Sequence, residues 1–388
     1  MSRYYSYINT AASILHHYQG AEPLAAHLKK IFAQNKKMGS KDRKWVTSLC
    51  YDYCRVKPHL TTNDLPTAVL QAHFLLTQQS TALLEVAAPE WNLLASESFQ
   101  EKIERIGASL TANIAWVNEL SLEINKDAYF TGILHQPPFY LRLRPSYEKI
   151  VVDKLKKAEL AFESMSPTCI ALQAGLNIEN IIQLNREAVV QDLSSQRVQE
   201  FYQLISWVGK PERKTPTVWD CCAASGGKSI LLFDTLSTIE LSVSDIRDSI
   251  LHNLSNRFKE AGIKNYHRFV FDAGRGSKHD RKFDLVIADV PCTGSGTWSR
   301  TPEQYLFFDQ QKIETYAAVQ SKIVSNVLAN VKPGGYFLYC TCSVFTKENE
   351  ERVQEILSNK KMRLVYSGYL DGTSRKADTL FAALFISE

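Results

Sequence analysis

The chain of 388 residues lacks the uninterrupted apolar run of about 18 residues that a membrane-spanning helix requires. Its first residues lack a charged segment followed by an apolar core, so we expect no signal peptide. Its eight cysteines are too sparse for the disulfide framework of a small secreted protein. We therefore expect no membrane partner and a reducing, cytoplasmic setting.

A large excess of one charge is also lacking, since the formal net charge is only +4. A balance this mild permits an anionic partner without requiring one. The first 60 residues nevertheless hold ten basic residues against three acidic ones. The basic residues are Arg3, Lys29, Lys30, Lys36, Lys37, Lys41, Arg43, Lys44, Arg55 and Lys57. This local excess predicts either a phosphate-binding face or a solvated helix surface, and the sequence does not decide between them.

Residues 1–130 contain few strand signals, and their apolar positions recur at intervals of three and four, as in Ile14 and Tyr18. This spacing predicts a helical domain. Cys50 and Cys54 lie four apart on one helical face. Because a metal site needs further ligands at suitable spacing, we predict that these two cysteines pack in the core, and we predict no metal in the protein.

Residues 131–200 have a different character, which begins at a pair of prolines. The segment 139–144 alternates like a strand, and a helical stretch follows near 148–162. We predict a small α/β module. Arg142 and Arg144 share one face of its first strand. They are candidate contacts to an RNA backbone, with ordinary surface residues as the equal alternative.

Residues 201–388 alternate strands with helices, which predicts a doubly wound parallel sheet. The predicted helices cover 229–236, 248–261 and 309–330, and a final pair of strands near 364–366 and 380–386 closes the sheet. The other predicted strands are 217–220, 241–245, 266–271, 283–288 and 336–339.

Polar groups follow the carboxyl ends of these strands, where open α/β sheets bind ligands. The loop 221–228 has neither the dinucleotide fingerprint nor the Walker spacing, but its small residues leave backbone amides free to bind a carboxylate or phosphate. Asp245 ends the second strand, about 20 residues after this loop, and at that spacing an acid accepts hydrogen bonds from ribose hydroxyls. Asp272 follows the third strand, where an adenine amino group would lie. Together they predict S-adenosylmethionine as the cofactor, with a nicotinamide cofactor as the alternative.

The loop 289–297, DVPCTGSGT, follows the buried strand 283–288 and offers a carboxylate, a thiol and glycines that admit close approach. The alternative is an ordinary glycine turn with a buried cysteine. Cys340 and Cys342 follow another strand end and lie two apart, so both are candidate nucleophiles on one face. The aromatic residues Trp298, Tyr305 and Tyr339 suit base stacking or core packing.

Five motifs in this order resemble the RsmB/Nop/Sun family of RNA 5-methylcytosine methyltransferases, strongly over 187–388 and more loosely over the whole chain. The motifs are VQDLSS (190–195), DCCAASGGK (220–228), DVPCTGSG (289–296), RTPE (300–303), and YCTCS (339–343) followed by EN (348–349). Ser225 stands where the family has proline. The segment SKDR (40–43) and the pair Tyr51 and Arg55 resemble the helical, NusB-like leader of the RsmB branch.

The resemblance implies a cytoplasmic, monomeric enzyme that transfers methyl groups from S-adenosylmethionine to cytosine carbon 5 in RNA, taken as rRNA. It implies a NusB-like RNA-binding domain at 1–130, an RNA-binding module at 131–200 and a Rossmann-like catalytic domain at 201–388. The implied catalytic residues are Cys342 as nucleophile, Cys292 as the second cysteine, Asp289 and Lys228. The implied cofactor-binding residues are Cys222, Ala223, Ala224, Ser225, Gly226, Gly227, Lys228, Asp245, Arg257, Asp272 and Asp289.

Other functions stay open at this point. A tRNA methyltransferase and a non-catalytic RNA-binding assembly factor are both compatible with the same motifs. A small-molecule methyltransferase would not need two further domains. A DNA cytosine methyltransferase would place its nucleophile at Cys292 and would not need Cys342.

Overall fold

The computed structural model describes residues 2–110, 114–207, 215–236, 238–276 and 281–388. Within these ranges, no helix is both long enough and apolar enough to cross a bilayer. The α-helices are α1 (Arg3–His17), α2 (Leu24–Gln34), α3 (Ser40–Val56), α4 (Leu65–Leu76), α5 (Ala82–Ala87), α6 (Pro89–Leu93), α7 (Phe99–Arg105), α8 (Lys126–Ile133), α9 (Glu148–Lys157), α10 (Leu193–Gln196), α11 (Gln199–Gln203), α12 (Gly227–Leu236), α13 (Asp248–Glu260), α14 (Pro302–Leu306), α15 (Gln311–Val327) and α16 (Glu350–Ser358). The strands are β1 (Phe139–Leu143), β2 (Phe162–Ser166), β3 (Cys169–Leu172), β4 (Ala188–Val190), β5 (Thr217–Asp220), β6 (Glu240–Asp245), β7 (Tyr266–Val270), β8 (Phe283–Asp289), β9 (Val331–Thr341), β10 (Met362–Leu370) and β11 (Leu380–Ser387).

These elements form two compact units. The helical unit consists of Met1–Asn118, Asn125–Gln136 and Trp298–Gln310. The α/β unit consists of Glu119–Ile124, Pro137–Thr297 and Gln311–Glu388. Most residues of the predicted module at 131–200 therefore belong to the α/β unit, which also contains the sheet that follows them. The division into three domains stays a prediction.

Helices of the helical unit begin at residues whose side chains accept hydrogen bonds from the free backbone amides of the first turn. Asp64 accepts a hydrogen bond from the amide of Thr67 at 3.0 Å, and Ser98 forms a capping box with Glu101. The apolar faces of these helices form one core, in which Cys50 and Cys54 are completely buried as predicted.

The predicted basic residues of the helical unit do not all reach solvent. Arg55 is only 4% exposed, and its guanidinium donates to the carbonyls of Ile133, His135 and Ser299 within the same unit. Arg43 and Lys57 are half-buried, whereas the remaining seven side chains are exposed. The local positive charge is therefore a surface property of those seven residues.

The four-stranded sheet of the α/β unit is antiparallel, in the order β2-β3-β1-β4. Leu141 and Leu143 of β1 face Val151 and Leu155 of α9 in a separate small core. The sequence pattern predicted β1, and short apolar runs near 170–172 and 188–190 indicated β3 and β4, whereas β2 was not predicted. Its residues Phe162–Ser166 lie at the edge of the sheet and are largely polar, so they lack the apolar pattern by which a strand is predicted.

The prediction that Arg142 and Arg144 contact RNA is wrong, and so is the alternative that they lie on the surface. They are 4% and 8% exposed. Both guanidinium groups lie 2.6 Å from the carboxylate of Asp234 on α12. The two arginines are buried together with the carboxylate of Asp234, which neutralises their charge. Because this partner lies on another element, the alternation of the strand does not reveal it.

The seven-stranded sheet has the order β10-β11-β9-β8-β5-β6-β7. The strands β5 to β9 are parallel, but β11 runs antiparallel to both β9 and β10. The sheet is therefore mixed and not purely parallel as predicted. The reason is the short segment 371–379 between β10 and β11, because a connection of that length joins antiparallel strands, whereas parallel neighbours need a long crossover.

The strand order reverses at β5, which lies between β6 and β8. In open α/β sheets this switch point leaves a crevice at the carboxyl ends of the strands. The loop 221–228 follows β5, and the loop 290–297 follows β8. The topology thus brings the glycine-rich loop and the Pro-Cys loop to one edge of the sheet.

Candidate functional site

A cavity of about 440 Å³ opens at this edge of the α/β unit. Its volume falls in the range of small-molecule sites. Apolar side chains, such as Ile246, Phe271 and Ile323, form part of its lining. The predicted site residues that line it are Cys222, Ala224, Asp245, Asp272, Asp289, Cys292 and Cys342. The structure therefore brings the three predicted aspartates together with the two predicted catalytic cysteines, Cys292 and Cys342.

The glycine-rich loop adopts backbone conformations that few residues tolerate. Ala224 has a φ of 45° and Gly226 a φ of 82°. A Cβ atom on Gly226 would lie 2.6 Å from the ring of Phe258, so only glycine fits there. Gly227 begins α12, and the first backbone amides of an α-helix have no acceptor within the helix. Ala223, Gly226 and Gly227 shape the loop without lining the cavity.

Arg257 reaches the loop from α13 and does not line the cavity. Its Nη1 donates to the carbonyl and the hydroxyl of Ser225 at 2.9 and 2.8 Å. Its Nε donates to Asn185 at 3.0 Å. The guanidinium thus anchors the loop at Ser225, the position where the family has proline.

The two predicted acids both face the cavity. Asp245 is 6% exposed, and its carboxylate accepts from the amides of Ala224 at 3.1 Å and Arg247 at 3.0 Å. Asp272 accepts from the amide of Gly274 at 3.0 Å. These bonds fix the direction of each carboxylate, so that both are available as acceptors at the cavity wall.

The two cysteines at the other end of the cavity are in contact. The Sγ atoms of Cys292 and Cys342 lie 3.1 Å apart, and both thiols are free. The hydrogen bond with Cys342, followed by burial, raises the pKa of Cys292 well above its usual value. Cys340 is completely buried in the apolar core, and burial raises its pKa. Only Cys342 of the two rival nucleophiles therefore reaches the cavity.

Lys228 and Asp289 form an ion pair beside these thiols, with Nζ 2.6 Å from Oδ2. Burial lowers the pKa of Lys228, but the Asp289 carboxylate, together with Cys340 and Cys342, raises it overall. The ammonium group therefore stays charged and fixes the orientation of the carboxylate.

The sequence assigned no role to Asp220, Glu348 or Asn349, although all three lie in the quoted motifs. Burial raises the pKa of Asp220 to about 7, and its carboxylate accepts from the hydroxyl of Ser229 at 2.6 Å. Asn349 is completely buried and donates to the carbonyl of Ser343 at 2.8 Å. Their place in the motifs was the only signal, since burial of polar residues is not visible in a pattern.

The aromatic residues Trp298, Tyr305 and Tyr339 are 1%, 3% and 0% exposed. Trp298 and Tyr305 pack against each other within the helical unit, with ring centroids 5.4 Å apart. Tyr339 donates from its hydroxyl to the carbonyl of Glu348 at 2.7 Å. Core packing, which was the alternative to base stacking, is the role that all three have.

Comparison with known proteins finds similarity to RNA methyltransferases. Residues 208–381 match the family described as 16S rRNA methyltransferase RsmB/F. A 28S rRNA (cytosine-C(5))-methyltransferase of Mus musculus is 30% identical over 156 residues, which cover 39% of this chain and 20% of that protein. The ribosomal RNA small subunit methyltransferase B of Xylella fastidiosa (strain 9a5c) is 27% identical over 262 residues, which cover 64% of this chain and 60% of that protein. The chain thus matches less than two thirds of the length of either relative.

A crystal structure of PH0851 resembles the fold of the whole chain. Its TM-score is 0.70 with 17% sequence identity, and the match covers 99% of both chains. At this identity the likeness concerns the fold.

Proposed function

Since residues 208–381 form a methyltransferase domain of the RsmB/F family, we propose that the whole protein methylates carbon 5 of cytosine in RNA. The proposed substrate is rRNA, as the names of both relatives suggest. The observation that carries the proposal is the meeting of Cys342, Cys292 and Asp289 on one cavity wall. We infer the role of each residue from the chemistry that this reaction needs.

Carbon 5 of cytosine is too weak a nucleophile to attack a methyl group directly. A thiolate that bonds to carbon 6 turns the ring into an enamine, whose carbon 5 is nucleophilic. We assign this thiolate to Cys342, because it lines the cavity whereas Cys340 does not. Addition places charge on ring nitrogen 3, and we assign to Asp289, which Lys228 holds, the sharing of a proton with that nitrogen.

After methyl transfer, a base from the solvent removes the proton on carbon 5, and the electron pair of that bond restores the double bond between carbons 5 and 6 as the bond from carbon 6 to sulfur breaks. The departing sulfur of Cys342 leaves as a thiolate, which a hydrogen-bond donor stabilises. Cys292 lies 3.1 Å from that sulfur, and its raised pKa keeps it a thiol. We therefore assign product release to Cys292.

The residues around the cavity fit S-adenosylmethionine, which supplies an electrophilic methyl group when it is bound. We assign Asp245 to the ribose hydroxyls and Asp272 to the adenine amino group, because both carboxylates line the cavity. The apolar surface of Ile246 and Phe271 suits an adenine ring. The amides of the loop at the start of α12 suit the carboxylate of an amino acid.

The proposal predicts that the protein and S-adenosylmethionine convert cytosine to 5-methylcytosine in RNA. Asp245→Ala should weaken cofactor binding at least tenfold, about 1.4 kcal/mol, because the ribose acceptor is lost. Asp248→Ala is the matched control, since that side chain is 57% exposed and lies outside the cavity. Calorimetry gives the affinities, and mass spectrometry of digested nucleosides gives the product. Unchanged affinity in Asp245→Ala would move the ribose acid elsewhere, and cofactor binding without methylation would favour an assembly factor.

We also propose that the helical unit binds RNA phosphate through exposed lysines near the turn between α2 and α3. Lys36, Lys37, Lys41 and Lys44 are exposed there. Lys30, by contrast, is paired with Glu22 at 2.6 Å. A cluster of exposed cations is the usual electrostatic footprint of a nucleic-acid contact.

The double variant Lys36→Gln/Lys37→Gln should flatten the salt dependence of RNA binding. Two lost phosphate contacts reduce the slope of log affinity against log salt by about 1.4 for single-stranded RNA. The matched control is Lys360→Gln/Lys361→Gln, an equally exposed adjacent pair in the α/β unit. Fluorescence anisotropy at several salt concentrations measures both slopes. Equal slopes in the two variants would show that the first pair is merely solvated.

A further inference from the structure

A single buried carboxylate joins the two loops that carry the cysteines. Glu348 ends the 3-10 turn Thr346–Glu348 and is completely buried. Its Oε1 accepts from the amide of Thr293 at 3.0 Å and from Nε2 of Gln320 at 2.8 Å. Its Oε2 accepts from the hydroxyls of Thr293, at 2.5 Å, and Ser343. Four donors around one group favour an ionised carboxylate, which only accepts.

The donors stand directly beside the two cysteines. Thr293 follows Cys292, and Ser343 follows Cys342. The two loops also meet where the amide of Gly296 donates to the carbonyl of Cys342 at 2.8 Å. The carboxylate thus bonds to the residue that follows each of the two cysteines.

The same carboxylate places a negative charge near one of the two thiols. The pKa of Cys292 is raised by the hydrogen bond with Cys342, by burial and by the charge of Glu348. Burial raises the pKa of Glu348, although its hydrogen bonds oppose that change. The other titratable or charged groups that face this region are Tyr316, Tyr339, Arg352 and the ion pair of Lys228 with Asp289. The pKa of each tyrosine is raised, chiefly by burial, so both stay neutral, and Arg352 is paired with Glu355.

We propose that Glu348 is a positioning residue that holds the two sulfur atoms in contact and keeps Cys292 protonated. The thiolate is then formed at Cys342, and Cys292 retains the proton with which it hydrogen-bonds the departing sulfur. This assignment rests on the proposed function, in which the two cysteines have separate roles.

The electrostatic part is tested by alkylation, which needs neither RNA nor cofactor. Iodoacetamide labelling of Cys292 is measured against pH by peptide mass spectrometry, in Cys342→Ala and in Cys342→Ala/Glu348→Gln. Loss of the charge should lower the titration midpoint by about half a pH unit or more, so labelling at neutral pH rises at least about threefold. Glu350→Gln in the same background is the matched control, since Glu350 bonds to Tyr369 and Ser121. An unchanged midpoint in folded Glu348→Gln protein would overturn the proposal, whether or not the protein methylates RNA.

The positioning part is tested by steady-state methylation with otherwise unchanged protein. Glu348→Gln should lower kcat at least about tenfold and leave KM for RNA within about twofold, because binding groups are not removed. Glu348→Asp keeps the charge but shortens the side chain. It should retain the midpoint of Cys292 while still lowering kcat, and it serves if Glu348→Gln does not fold. A wild-type kcat in folded Glu348→Asp protein would overturn the positioning role.

Discussion

Cys342→Ala is expected to abolish methyl transfer and to form no covalent complex with RNA. The reason is that the sulfur bonded to carbon 6 makes carbon 5 reactive, and no other thiol takes its place. Cys340 is completely buried, and Cys292 is expected to stay protonated. Methyl transfer is measured with labelled cofactor, and complexes are measured as slow bands on denaturing gels.

Cys292→Ala is expected to do the opposite and accumulate the covalent complex. Addition and methylation need only Cys342, but release loses the donor that lies 3.1 Å from the departing sulfur. The complex should survive denaturing gels and disappear on RNase digestion. The double variant should form none, because the trapped state needs the nucleophile.

Three outcomes would contradict this assignment. If Cys292 is required for complexes and Cys342 is dispensable, the mechanism is of the DNA methyltransferase type. If Cys340→Ala loses complexes while Cys342→Ala keeps them, the nucleophile lies two residues earlier. If neither single variant changes the gel pattern of wild type, the reaction does not use a cysteine adduct.

Asp234→Ala is expected to destabilise the α/β unit by roughly 3–5 kcal/mol, because it leaves buried charges without a partner. The side chain of Asp234 is 6% exposed, and those of Arg142 and Arg144 are 5% and 10% exposed. The control is Glu200→Ala, which removes the exposed pair with Arg197 and should cost at most about 1 kcal/mol. Denaturant unfolding of the whole protein measures both.

A rescue variant separates lost charge from lost packing. Replacing all three residues with apolar ones, as in Arg142→Met/Arg144→Leu/Asp234→Leu, removes the unpaired charges and should recover much of the loss. A cost for Asp234→Ala no greater than that of Glu200→Ala would mean that water or another group satisfies the arginines. Because two units unfold, the transitions are assigned separately before any free energy is compared.

The sequence by itself determined the features whose causes are local. The strand β8 is a short run rich in branched apolar residues, and β5 begins and ends where the pattern predicted. Asp245 and Asp272 were found because strand ends and ligand acids occur at a regular spacing. The mild overall charge and the positive excess before residue 60 were likewise present in composition, and Cys50 and Cys54 are core residues as their helical spacing indicated.

Only the tertiary structure decided the features that depend on contacts between distant segments. Arg142 and Arg144 are buried because Asp234 meets them from an element 90 residues away, and no strand pattern contains that partner. The strand β11 lies between β9 and β10, and strand spacing does not specify that order.

The separation of the candidate nucleophiles was decided in the same way. Cys340 and Cys342 lie two apart in an extended segment, yet β9 ends at Thr341, so Cys342 turns into the cavity while Cys340 stays in the core. The role that we propose for Glu348 depends on two loops, 50 residues apart in the sequence, that both bond to its carboxylate. Local patterns predict which elements form, but burial and charge pairing arise from packing, which sets the environment of each group.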